Sequence, residues 1–206
     1  MLGNLFTRRT QEQSQSPAEA QLHFEAGMRL ATAGHYSDAV VELKQAVRAN
    51  SDCAEARVEL GRMYHKMGQL HKAIKTYLSA LEVRPNFTLA YTSLGAAYGE
   101  LGDFVKALKV YTKAILLVPQ DPELRTDLGL TYFNIGSYAE AIKACRQALV
   151  IDPDNARAHY CLGLVYVDLK DTEMALAEHS ELKLRDEKDL AFQLLDKIQR
   201  QSQRRS

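Results

Sequence analysis

A 34-residue segment recurs along this chain in fixed register, and that period constrains the fold more tightly than any other feature. The clearest copy is Thr88–Asp121, TLAYTSLGAAYGELGDFVKALKVYTKAILLVPQD. Ala54–Phe87 and Pro122–Asn155 place Leu-Gly, Tyr, Gly, Ala and Pro at the same offsets. Two outer copies, Ala20–Cys53 and Ala156–Asp189, complete five repeats without a gap. Units of this size are single supersecondary elements that cannot bury an apolar face alone, so they stack and share one core strip.

Each repeat reads as helix, turn, helix. The first helix (helix A) stops where Gly34, Gly68, Gly102 or Gly136 supplies a left-handed residue. The fifth repeat has Lys170 there, which predicts its most strained turn. Helix B opens at Asp103, Ser137 or Asp171 and ends near Pro85, Pro119 or Pro153. Ser137 and Glu140 have capping-box spacing, as do Ser16 and Glu19 at the start of the ordered region. The next helix A is expected to be capped by Asp52, Asn86, Asp121 or Asp154. Position eight is always glycine (Gly27, Gly61, Gly95, Gly129, Gly163) and position twenty always alanine, from Ala39 to Ala175. Glycine inside a helix costs about 1 kcal/mol relative to alanine. Its recurrence implies that helices A and B must approach closely there. Tyr64, Tyr98, Tyr132 and Tyr166 form a ladder at a core position.

This pattern resembles the tetratricopeptide repeat, in which Leu-Gly, Tyr, Gly, Ala and Pro take these offsets. The resemblance covers residues 20–189. It implies an all-α fold, an α-solenoid in which helix-turn-helix repeats wind into a right-handed superhelix. Two departures stand out. The Trp-like fourth position holds His23, Arg57, Tyr91, Arg125 and His159, and the outer repeats are eroded, as terminal repeats are when one face meets solvent. After the fifth repeat, Leu190, Phe192, Leu194, Leu195 and Ile198 make a helical stripe. It looks like the family's capping helix, covering helix B of repeat five. The expected organisation is a disordered segment over 1–15, the repeat domain over 16–189, a capping helix over 190–203 and a tail over 204–206.

No catalytic, cofactor-binding or metal-binding motif is present: there is no phosphate loop, no HExxH and no nucleophile elbow. The pairs His65/His71 and His159/His179 read as surface or packing residues, and Cys145 and Cys161 as buried thiols. An enzyme is not expected. Net charge is zero, with 26 residues of each sign, which disfavours nucleic-acid binding. Three cysteines without CxxC spacing and the lack of an export signal fit a cytoplasmic compartment. No run is long enough to span a membrane. Membrane contact is confined to Met1–Phe6.

The resemblance places a concave groove on the A helices, at positions 2, 5, 9 and 12, that takes a peptide or helix of a partner protein. The candidate groove residues are Phe24, Met28, Val58, Arg62, His65, Thr92, Ala96, Thr126, Leu130, Phe133, Tyr160, Leu164 and Val167. Its centre is small (Ala96, Gly99) and its C-terminal end apolar. The Lys, Asn and Arg set with which chaperone-binding members hold a C-terminal carboxylate is missing, so an acidic chaperone tail is a poor ligand. Repeat two carries +3, repeats four and five −2 and −3, and the segment from Leu190 +3. In repeat two, Arg57, Arg62, His65 and Lys66 offer a basic end to an acidic partner segment. The reading is therefore a non-enzymatic scaffold or adaptor that binds a partner segment in the groove, favoured as a monomer. The alternative is a self-associating assembly factor or structural subunit, formed by end stacking.

Overall fold

The computed structural model describes residues 17–203. Expectations for residues 1–15, including Met1–Phe6, for the Ser16 cap and for 204–206 lie outside the described residues. Among those described there are eleven α-helices and no strand. Ten pair within the repeats: α1 (Pro17–Thr32) with α2 (Tyr36–Ala49), α3 (Ala54–Lys66) with α4 (Leu70–Val83), α5 (Thr88–Glu100) with α6 (Phe104–Leu117), α7 (Pro122–Asn134) with α8 (Tyr138–Ile151), and α9 (Ala156–Asp168) with α10 (Thr172–Leu184). The last, α11 (Lys188–Gln203), follows the fifth repeat. The chain divides into two compact bodies, Met1–Val83 and Arg84–Ser206. The first holds α1–α4 and the second α5–α11.

The turns form as their residues require. Gly34, Gly68, Gly102 and Gly136 have φ between 71° and 80°, the left-handed region where a side chain is strained. Lys170 adopts φ 64° in the same role, and Asp186 does so at φ 57° before α11. Helix starts depart from expectation at several positions. Asp103, Asp121 and Asp171 accept hydrogen bonds from the backbone as caps, whereas Ser137 holds the cap position without a side-chain bond. Asp52, Asn86 and Asp154 are each displaced by the following residue: Cys53, Phe87 and Asn155 are the N-caps of α3, α5 and α9. The loop before each of these helices places the cap one residue later, and the Asn155 carboxamide oxygen accepts from Ala158 N at 2.9 Å.

Close packing explains the glycines. A Cβ on Gly61 or Gly95 would lie 2.5 Å or 2.3 Å from the ring of Tyr77 or Tyr111, and one on Gly129 would lie 2.4 Å from Cys145 Sγ. In the fifth repeat the neighbour changes. Gly163 meets Leu194 of α11, with Cδ2 2.3 Å from the added Cβ. Thus α11 packs on α9 as well as α10, rather than covering helix B alone. One apolar core runs from Cys145 and Ala148 through Cys161, Leu162 and Leu182 to Leu194 and Ile198. Cys145 and Cys161 are free, fully buried thiols. Their mutual hydrogen bond and burial push the Cys161 thiol far up.

In repeats two to five the varied fourth position shares one structural task, while His23 of repeat one pairs with Glu42 at 2.7 Å. Arg57 donates to Ser51 O, Tyr91 to Pro85 O, Arg125 to Pro119 O and His159 to Pro153 O, each reaching back six residues to the preceding loop. The bond ties α3, α5, α7 and α9 each to the loop that leads into it. His159 also places Nδ1 2.7 Å from Glu178 Oε2 on α10. With both ring nitrogens protonated, His159 donates to the carbonyl and the carboxylate at once. The Glu178 hydrogen bond, the largest influence, raises its pKa above the ordinary 6.5 against the opposing effect of burial.

Candidate partner-binding cleft

In the C-terminal body, α7, α9 and α11 border a cleft of about 640 Å³. Phe133 of α7 and Leu164 and Val167 of α9 form its apolar floor, because positions 9 and 12 of a repeat share one helix face. Phe192, Gln193, Asp196, Lys197, Arg200 and Gln201 of α11 form the opposite wall. The wall is fixed by Leu194 over Gly163, by Tyr160 donating to Gln193 Oε1 at 3.3 Å and by Gln201 donating to Val167 O. Burial raises the Tyr160 hydroxyl pKa, which keeps that donor protonated.

Charges ring the mouth. Asp196 pairs with Arg200 at 2.9 Å, and Asp168 accepts from Tyr138 OH at 3.1 Å, which raises the phenol pKa. Lys170 and Lys197 add two cations to the lining. Elsewhere in this body, Arg157 bridges α9 to α7, with 2.6 Å contacts to both Glu123 and Asp127. Asn155 Nδ2 donates to the other Glu123 oxygen at 2.8 Å. Burial raises the Asp127 carboxyl pKa, and Arg157 opposes it.

The candidate groove residues separate by placement. Phe133, Leu164 and Val167 line the cleft, and half-buried Leu130 packs against the same core as Tyr160. Val58 and Thr126 are fully buried and present nothing to a partner; Thr126 donates instead to Pro122 O at 2.9 Å. Thr92 is half-buried and bonds Leu89 O, while Ala96 is exposed. In the N-terminal body, Phe24 lines a smaller cleft of about 220 Å³ with Pro17, Ala20 and Ala46. Met28 and His65 are half-buried, and exposed Arg62 is paired with Glu59 at 2.9 Å. The basic end of repeat two is thus partly neutralised.

The α11 wall is not visible in the repeat pattern. The apolar stripe read from sequence includes Phe192, yet this ring is 73% exposed, and Ala191, Leu194 and Ile198 are the buried residues. The spacing 191, 194, 198 is the signal that marks the buried face. Phe192 lies about 100° around the helix from Ala191.

A TPR-repeat family model matches residues 61–102 and 129–170, and a tetratricopeptide-repeat model matches residues 89–121. Together they span half of the chain, which belongs to the tetratricopeptide repeat family. No curated protein matches the sequence. Among solved structures, TTC0263, a thermophilic TPR protein of Thermus thermophilus, is similar at 23% identity and TM-score 0.73, covering 87% of this chain and 98% of that one. MamA 41-end of Desulfovibrio magneticus RS-1 is similar at 23% identity and TM-score 0.70, covering 82% and 96%. YrrB, described as a TPR protein with an unusual peptide-binding site, is similar at 22% identity and TM-score 0.62, covering 84% and 90%. These likenesses show the fold, an all-α solenoid of tetratricopeptide repeats.

Proposed function

We propose that this chain is a non-enzymatic protein-interaction scaffold that holds an apolar segment of a partner protein in the cleft of its C-terminal body. The observation that carries the reading is the cleft itself. Phe133, Leu164, Val167 and the exposed ring of Phe192 surround a space large enough for a few side chains, and charged groups ring its mouth. Apolar anchors inside a polar rim are how a groove captures a helix or an extended peptide. The peptide-binding site for which YrrB is described supports the reading at the level of fold.

Phe133→Glu puts a carboxylate at the floor, and Leu130→Glu adds a second one three residues earlier on the same helix. Partner capture in a pull-down is expected to vanish while the helical circular dichroism stays unchanged. Unchanged capture would remove the cleft as the site. Light scattering of the purified chain separates a foreign partner from a second copy of the chain in this cleft. A monomer supports a foreign partner; an oligomer dispersed by the same substitutions supports a second copy.

A further inference from the structure

A second surface lies on the outer side of helix B. Positions 18, 22, 25 and 29 of a repeat form one stripe, diametrically opposite the buried positions 20, 24 and 27. In α6 the stripe is Val105, Lys109, Thr112 and Leu116; in α8 it is Ala139, Lys143, Arg146 and Val150. The same repeat positions are buried in both helices, Ala107, Tyr111 and Ala114 in α6 and Ala141, Cys145 and Ala148 in α8, and both helices pack on α7. α6 packs on α5 and α7, and α8 on α7 and α9, so each stripe points away from the A helices on which its own helix packs.

The outer face is unusual in two respects. Its aliphatic side chains are thrust into solvent: Val105 is 65%, Leu116 77% and Val150 84% exposed. Its charge is one-sided. Although the whole chain is neutral, α6 and α8 together carry five cations against the single anion Glu140. Lys106 is neutralised by Asp103 at 2.6 Å, but Lys109, Lys113 and Lys143 are exposed, and Arg146 spends one N–H on the uncharged Tyr166 hydroxyl at 3.0 Å. The basic stripe ends there, since the equivalent line in α10 reads Glu173, Ala177, Ser180, Leu184.

We propose that the outer face of α6 and α8 docks peripherally on a membrane surface bearing anionic headgroups. Lysine is depleted and aromatics are enriched at protein–protein interfaces, and this face has the reverse composition. Aliphatic side chains among lysines suit the headgroup boundary, where the apolar groups enter and the ammonium groups stay with the phosphates. The surface is shallow: the hollow of about 400 Å³ here is lined by α8 side chains alone. No helix among the described residues is long and apolar enough to cross a membrane, so the contact is lateral.

Co-sedimentation of the full chain with phosphatidylcholine vesicles, with and without roughly one quarter phosphatidylglycerol, tests this. Binding is expected only with the anionic lipid, weakening as salt rises. It should fall about tenfold or more in Lys109→Glu/Lys143→Glu, and also in Leu116→Ser/Val150→Ser, with circular dichroism unchanged. Equal binding to neutral vesicles overturns the proposal. So does full binding by both variants, which would assign the contact to another segment such as Met1–Phe6. An absence of binding to either vesicle also overturns it, leaving the face to an acidic protein.

Discussion

Gly95 and Gly99 lie one turn apart on α5, and replacing each by alanine should act in opposite directions. Alanine gains up to about 1 kcal/mol over glycine in a helix. At Gly95 the new Cβ would meet the Tyr111 ring at 2.3 Å, with Tyr111 buried and unable to swing away. Overpacking of that kind costs about 1–3 kcal/mol and outweighs the propensity gain. At Gly99 nothing lies within 4 Å, so the gain stands, reduced to about 0.5 kcal/mol near the helix end. Urea unfolding midpoints should therefore fall for Gly95→Ala and rise for Gly99→Ala. The close approach at position eight was legible in the sequence, because a helical glycine repeated at one position marks a steric demand. The fourth position was not. Arg57 and Arg125 share no shape with Tyr91 or His159, only a donor able to reach the carbonyl six residues back. A pattern written in residue types does not contain that property.

Between elements, the His159–Glu178 bond ties α9 to α10 at 2.7 Å and makes this pairing sensitive to pH. Because folding raises the imidazole pKa, the stabilisation is fully present below the unfolded value near 6.5 and is lost as pH rises through the higher folded value. Glu178→Gln removes the carboxylate that causes most of the rise. Urea midpoints measured from below pH 6.5 to well above it should show a smaller alkaline loss in Glu178→Gln than in the parent chain. A parallel decline in both would place the sensitivity elsewhere. Three helix starts fell one residue late, whereas turn glycines and pairing followed from the period. The seat of α11 did not, since α11 lies outside the repeat and its partner face was set by Gly163 accepting Leu194, where the preceding repeats use their own helix B. The groove also lost two expected members for a local reason. The fifth position turns inward at Val58 and Thr126, which are fully buried.

On the scale of the whole molecule, function resides in surfaces that sums over repeats conceal. Repeat three is neutral in total, yet all three of its lysines sit on α6 and none of its carboxylates do. The cleft likewise joins side chains from repeats four and five to a wall from beyond the repeats. The central claim is that this cleft receives a partner. A photo-crosslinking phenylalanine analogue placed at Phe192, 73% exposed on the cleft wall, tests it most directly, with the same analogue at Leu78 on α4 as control. In the cells that make this protein, irradiation should give a discrete adduct from position 192 and none from position 78, and the adduct should disappear when Leu130→Glu and Phe133→Glu are added. No adduct at 192, the same adduct at both positions, or an adduct that survives the two substitutions would contradict the account.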